Sequence, residues 1–409
     1  MAALLLAALL SAAPGEAPPR FRAGLELSAQ ALPFGTWYAT ALPVLSWDGG
    51  EAFGVELGAP LRFGERGLRA QDWDAPDDFG QLLRELRLGR EADTMFLRAG
   101  TLSAVTLGTG RLLRRYDAGL NPDHHPASAW LTLQEGELRG EAFASNVLGA
   151  RLFALDVRWD AGRRLGLPED LLHVAASAAH DAGLGGGTSP QSTLAVVEVD
   201  GTFLRAQSLS AAVVASGGAR LGAPGGGAAA GGLVDASIRG VALSVQLEGR
   251  WQRDGFRHGY FGPDYELRRF SGMGTAARAL ADERLEPGFS VAGTVQLQAP
   301  RTSGGEAPWA VVLSAERFYD GRLDADGAAS LLLGEGRYAV AVRGGVTGLF
   351  EDARAWGQLE GRARVGPAFY VVASGGTVFF PEPVVGAPGS TRLRPGVQAS
   401  LGLGMDLAR

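Results

Sequence analysis

The dominant regularity of the chain is an alternation of apolar and polar side chains with a period of two. That period puts successive side chains on opposite faces of a strand. Val241, Leu243, Val245, Leu247 and Trp251 fall on one face, and Ser244, Gln246, Glu248, Arg250 and Gln252 on the other. Phe289, Val291, Val295 and Leu297 alternate in the same way with Ser290, Thr294, Gln296 and Gln298. Phe153, Leu155, Val157 and Trp159 oppose Asp156 and Arg158. Near the C-terminus Arg354, Gln358, Glu360, Arg362 and Arg364 share a face opposite Ala355, Leu359, Ala363 and Val365. Residues 21–30, 309–316 and 337–343 repeat the scheme, and the pattern predicts an all-β protein.

A soluble β-sandwich and a closed transmembrane barrel both alternate. The segments here approach the roughly 9–11 residues of a tilted membrane-spanning strand, whereas soluble strands usually run about 5–6. Aromatic residues gather near segment ends: Trp37 and Tyr38, Trp47, Trp130, Trp159, Trp251, Trp309, Phe318 and Tyr319, Phe379 and Phe380. Those are girdle positions, where a ring sits between lipid and headgroup. The polar faces carry charges of both signs deep inside the segments, and a wet lumen would solvate Gln246, Glu248, Arg250, Glu360 and Arg362. No stretch reaches the roughly 18 consecutive apolar residues of a membrane helix, so a barrel is the one spanning option. The reading is a closed antiparallel transmembrane β-barrel, with the sandwich as the alternative. At roughly 22–24 residues per strand and connection, the length predicts about 16–18 strands.

Composition refines this picture at three points. Met1 to Leu10 is an apolar run followed by small residues, Pro14 and Pro18, which matches a signal-peptide h-region. Residues 1–17 are therefore read as a signal peptide and 18–409 as one barrel domain. No Arg or Lys precedes the run, and the prolines crowd the cleavage sites after Ala13 and Ala17; a buried N-terminal segment is the alternative. A net charge of −6 and a pI near 5.5 exclude nucleic acid as a partner. Cysteine is absent, which excludes disulfides and thiol chemistry. Lys is absent and Ile and Asn are scarce, which points to a G+C-rich genome, accounts for part of the 61 glycines and weakens any argument from Arg abundance alone.

The last strand runs from about Val397, with Val397, Ala399, Leu401, Leu403, Met405 and Leu407 facing outward. Gln398, Ser400 and Asp406 face inward. Ser400, Gly402, Met405 and Leu407 follow the order polar-x-Gly-x-x-apolar-x-apolar. This ending resembles the assembly signal of Gram-negative outer-membrane β-barrels, although Ala408 and Arg409 follow where the family often ends on an aromatic residue. The resemblance implies the bacterial outer membrane, a surround of outer-membrane lipid, and insertion by the barrel-assembly machinery.

Some stretches break the alternation. Residues 75–89 place Phe79, Leu82, Leu83 and Leu86 at helical spacing, yet Glu85, Arg87 and Gly89 alternate with Leu86 and Leu88, which favours a strand. Residues 276–285 read as a short loop helix. The Gly-rich segments 183–190 and 217–232 read as loops or turns.

Residues 102–128 concentrate Arg111, Arg114, Arg115, Asp117, Asp123, His124 and His125 among the breakers Gly108, Gly110, Gly119, Pro122 and Pro126. In general porins, which the chain resembles in architecture, a long loop folds into the lumen and opposed charges define a constriction. The expectation is that this segment folds inward and that Arg111, Arg114, Arg115 and Asp117 line the narrowest part of the pore. An exposed loop with solvated charges is the competing reading. Residues 256–270 interleave His258, Tyr260, Tyr265, Glu266, Arg268 and Arg269 with further aromatics. A sugar or anionic headgroup would suit them; the default reading is a loop with aromatics at the membrane interface.

His124 and His125 are adjacent, so on an extended chain they point apart and cannot chelate one ion. His173, His180 and His258 stand alone, and no metal or other cofactor is expected. The chain has neither a nucleophile elbow nor a P-loop, so an enzyme is not expected. The function that fits best is passive diffusion of small polar solutes through a porin-like channel, with homo-oligomers an option. The alternative is a non-conducting barrel serving as a structural or assembly partner or a surface receptor.

Overall fold

The structure is a computed structural model. It describes residues 20–408 apart from 33–35, 51, 120–125, 169–170, 184–190, 267–286, 301–306, 335, 351–352 and 384–390. Residues 1–17, 184–190, 276–285, Asp123, His124, His125, Arg268 and Arg269 therefore lie outside the described residues. No described helix is long and apolar enough to cross a membrane.

The alternating segments form one antiparallel sheet. It opens with β1 (Arg20–Leu32), β2 (Thr36–Asp48), β3 (Phe53–Gly58), β4 (Leu61–Gly64), β5 (Gly67–Leu68), β6 (Leu83–Leu88) and β7 (Met95–Gly100). It continues through β8 (Ser128–Glu135), β9 (Leu138–Ala144), β10 (Leu152–Asp160), β11 (Leu172–Asp181), β12 (Ser192–Ala206), β13 (Leu209–Leu221), β14 (Gly226–Ile238) and β15 (Val241–Arg253). The last strands are β16 (Gly288–Gln298), β17 (Trp309–Phe318), β18 (Leu323–Leu333), β19 (Tyr338–Leu349), β20 (Arg354–Arg364), β21 (Phe369–Pro383) and β22 (Thr391–Ala408). Pairing of β1 with β22, from Arg22 opposite Ala408 to Ala31 opposite Ala399, closes the sheet on itself.

The 22 strands make a barrel of 20 staves. On β2, Val44 faces Gly58 and Ala41 faces Leu61 in one unbroken register. β3 and β4 are thus one stave interrupted at Ala59 and Pro60. β5 and β6 form the next stave, pairing with β4 and β3 in turn. The count exceeds the 16–18 inferred from length because connections at one rim are very short. Ala206 pairs with Leu209 and Ile238 with Val241, so two residues suffice for each turn. In the second turn Arg239 has φ 53 and Gly240 φ 83, the left-handed pair of a tight hairpin whose twist matches its strands.

The Gly-rich stretch 217–232 is a correction to the sequence reading. It forms the facing halves of β13 and β14, joined by the turn at 222–225. Residues 75–89 also divide: Pro76–Leu82 is a 3-10 turn and Leu83–Leu88 is a strand.

Leu247 is 60% exposed and its neighbour Glu248 2%, which places adjacent side chains on opposite sides of the wall. Leu27, Leu155, Val291, Leu313, Leu359, Leu401 and Leu403 are exposed in the same way. Trp37, Trp159, Phe289, Tyr319 and Phe369 stand exposed at or next to strand ends. The sheet is closed, its outside is apolar and its inside is charged, so the chain is a transmembrane β-barrel, the architecture of bacterial outer membranes.

Candidate functional site: the lumen and its two inserted segments

The rim holding Arg20 and Ala408 carries the short turns, including 136–137, 207–208, 239–240 and 365–368. The opposite rim carries two long connections, 101–127 and 254–287. The described parts of both turn inward and build a second, smaller structure inside the barrel.

The first insert doubles back on itself. The N–H of Val105 donates to the carbonyl of Tyr116 at 3.0 Å, and that of Tyr116 returns the bond at 2.9 Å. The second insert adds a strand to this hairpin: Gly259 N–H donates to Arg111 O at 2.7 Å, Phe261 N–H to Leu112 O at 2.9 Å, and Arg114 N–H to Phe261 O at 3.1 Å. Backbone groups removed from water are thereby paired. Leu102, Leu107, Leu112, Leu113, Tyr116, Phe256, Tyr260, Phe261 and Tyr265 then form an apolar core. It packs on inward residues of the wall, namely Phe143, Leu152, Ala154, Ala179, Leu194 and Val196. The aromatics of 256–265 are therefore inside the lumen and not at the membrane interface, because the wall behind them is apolar too.

Two glycines explain how the second insert seats. A Cβ on Gly218 would lie 2.4 Å from the Phe256 ring, and one on Gly227 would lie 2.8 Å from it. Bare backbone on β13 and β14 thus makes a notch for Phe256, which is fully buried.

Polar contacts stitch the first insert across successive staves. Arg111 is buried between Glu198 on β12 and Glu248 on β15; its Nη1 donates to Glu248 Oε2 at 2.8 Å. Arg114 donates to Thr294 Oγ1 on β16 at 2.6 Å and to the Ser314 hydroxyl on β17. Arg115 pairs with Asp326 on β18, and Asp117 with Arg343 on β19. Burial, reinforced by Arg115, lowers the Arg114 guanidinium to about 10. Burial also raises the Asp117 carboxyl above its usual value, with Arg343 acting against that. Glu248 also accepts from Arg250 at 3.0 Å, and Arg250 reaches Glu316 at 2.9 Å. Gln246 donates to Glu248 Oε1 at 2.6 Å, so Gln246, Glu248 and Arg250 face the interior together.

The rest of the lumen is different in kind. Arg84 pairs with Glu56 at 2.8 Å with both side chains more than a third exposed. Arg98 pairs with Glu85 at 3.4 Å, with 44% of each side chain exposed. Glu360 and Arg362 are exposed on β20, on the face opposite the outward Leu359. The Arg362 guanidinium lies 3.7 Å from the centre of the Tyr370 ring. A cavity of about 380 Å³ borders the edge of the first insert, lined by Ser103, Ala104, Gln298, Ser330, Arg343, Gln358 and Glu360. Ser400, Gly402, Met405 and Leu407 lie on β22 at the closing seam, where Ser400 bonds to Ser374 at 3.2 Å. A Cβ on Gly402 would lie 2.5 Å from Leu27 O, so the glycine permits a close approach of β22 to β1.

Sequence reading did not single out Glu26, Glu56, Arg84, Arg98 or Arg343 as site residues. Glu56, Arg84 and Arg98 lie on six-residue strands whose alternation is weak, whereas Glu26 and Arg343 lie on long alternating strands that gave no sign of which inward charge would meet a partner. The second insert's docking had a clearer signal. Leu152 and Ala154 are apolar on the face opposite Phe153 and Leu155, so the first half of β10 is apolar on both faces and needs a dry partner inside the barrel.

No family model matches the chain, and no curated protein matches it. Among solved structures it is similar to OccK11 (OpdR) of Pseudomonas aeruginosa, at 12% identity over 96% of each chain with a TM-score of 0.38. The outer membrane protein OpdK of the same organism matches at 13% identity, over 96% of this chain and 99% of that one, with a TM-score of 0.36. OccAB4 of Acinetobacter baumannii matches at 8% identity, over 97% of this chain and all of that one, with a TM-score of 0.37. Similarity of this order leaves function to be read from the barrel's own lumen.

Proposed function

We propose that the protein is an outer-membrane channel for passive diffusion of small polar solutes, exported by a leader within residues 1–17. The observation that carries this reading is the contrast in exposure between ion pairs of one lumen. Arg84–Glu56 keeps 38% and 37% of its side chains in contact with solvent, whereas Arg111–Glu248 keeps 3% and 1%. Solvated charge on the inner face of a closed barrel requires water there, and a water-filled lumen is a route for polar solutes. The path runs along β20–β22, β1–β3 and β6, off the barrel axis. The first insert bounds it on the other side, with Asp117 and Arg343 at its edge. Arg111, Arg114 and Arg115 hold the insert in place and narrow the pore by positioning it. No chemistry is asked of these residues, so the reading is a channel and not an enzyme.

A second reading is favoured by the packed inserts: a barrel that is closed throughout and serves as a structural partner or surface receptor. Single-channel recording of the folded protein in a planar bilayer separates the two. Discrete current steps support the channel; a heat-shifting, folded barrel without current supports the closed form.

A further inference from the structure

Between the second insert and the wall of β17–β20 lies a cavity of about 60 Å³, with Arg114, His258, Ser314, Glu316, Asp326 and Trp356 in its lining. His258 is 2% exposed, and neither of its ring nitrogens has a hydrogen-bond partner among the described residues. Its position is set by other groups. Its backbone N–H donates to Gln252 Oε1 at 2.8 Å, and its ring meets Phe256 edge-on with centres 5.3 Å apart. A buried imidazole without a polar partner is costly, because it has left water for nothing in return.

Arg114 supplies an independent second observation. Its guanidinium donates to two hydroxyls, and no described carboxylate lies within ion-pair distance of it. The four carboxylates facing the same cavity are already engaged: Glu316 with Arg250, Asp326 with Arg115, Asp324 with Arg257 and Arg322, and Asp264 as acceptor of the Thr347 hydroxyl. The lowering of Arg114 to about 10, and of His258 to about 3 by burial and the charges of Arg250 and Arg111, belongs to the same environment. A cation withdrawn from water with only neutral partners keeps its attraction for an anion.

We propose that this cavity binds a small inorganic monovalent anion of chloride size, held between the Arg114 guanidinium and a ring N–H of His258. Arg114 belongs to the first insert, His258 to the second, and Ser314 to the wall, so the anion fastens all three where they meet. The site is independent of whether the barrel conducts.

The test uses the folded full-length barrel. Crystals soaked in sodium bromide are examined by anomalous scattering, and thermal unfolding is followed in sodium chloride, sodium bromide and sodium gluconate at equal ionic strength. Bromide density in contact with both Arg114 and His258 is expected. The unfolding midpoint is expected to fall by roughly 2–4 °C in gluconate, and this difference should vanish in His258→Phe, which keeps a ring but loses the N–H. Absence of a bromide peak, with ordered water alone in the cavity, overturns the proposal. So does a halide dependence unchanged in the variant. Where His258→Phe does not fold, the bromide experiment on the unmodified protein decides.

Discussion

The two halves of the lumen use the same residue types to opposite ends. Along β10–β18, Arg and Glu are buried in networks that join an inserted core to the wall; along β2, β3, β6 and β7, pairs of the same residue types stand in solvent. The difference lies in what each strand presents beside its charges. Leu152, Ala154, Ala179, Leu194 and Val196 give the first half an apolar inner surface on which Phe256, Phe261 and Leu113 pack. Once water is displaced, Glu198 and Glu248 need a cation, and Arg111 supplies it. On the other half Gln30, Gln358, Gln398 and Ser400 offer no such surface, and Arg84, Glu56, Arg98 and Glu85 keep their water, while Asp72 is buried beside Arg62 and Arg69. A charge pair therefore acts as a rivet or as a pore lining according to its apolar neighbours.

This comparison can be broken in graded steps. Glu248→Ala should have the largest effect, leaving Arg111 and Arg250 short of a carboxylate in a dry site. Removing one partner of a buried pair costs about 3–5 kcal/mol, read as a lowered denaturant midpoint and, in bilayers, as larger or noisier current steps. Phe256→Ala should follow closely, since emptying the notch under Gly218 and Gly227 costs about 3–5 kcal/mol. Unchanged stability and conductance would show that the second insert is not seated there.

Val245→Arg on the lipid face should cost about 2–4 kcal/mol near the bilayer midplane, while Gln246→Arg next to it is tolerated. Refolding into vesicles measures both, and the reverse order would invert the assigned faces. The smallest stability effect should come from Arg84→Ala, within about 1 kcal/mol for a solvated pair. Its signature is a shift of ion selectivity toward cations, because Glu56 and Glu26 remain. Reversal potentials in a salt gradient record that shift, and an unchanged value would place the solute path elsewhere.

The bromide site adds a finer step to the same series, since it sits where both inserts meet the wall.

The sequence alone determined the class of fold and the assignment of faces. A period of two carries its own geometry, so Val245 outside and Gln246 inside follow from alternation, as do Leu401 outside and Ser400 inside. It also marked 102–128 as irregular and charged. Tertiary structure decided the rest. Stave number depended on turns as short as 239–240, which length alone does not reveal. The Gly-rich stretch 217–232 gave loop signals locally but became two strands, because a glycine on a wall is useful only once Phe256 arrives from elsewhere in the chain. Whether Arg111 or Arg84 meets water depended on which apolar residues, distant in sequence, the closed barrel brought beside it. Burial is a property of neighbours, and closing the barrel is what chose them.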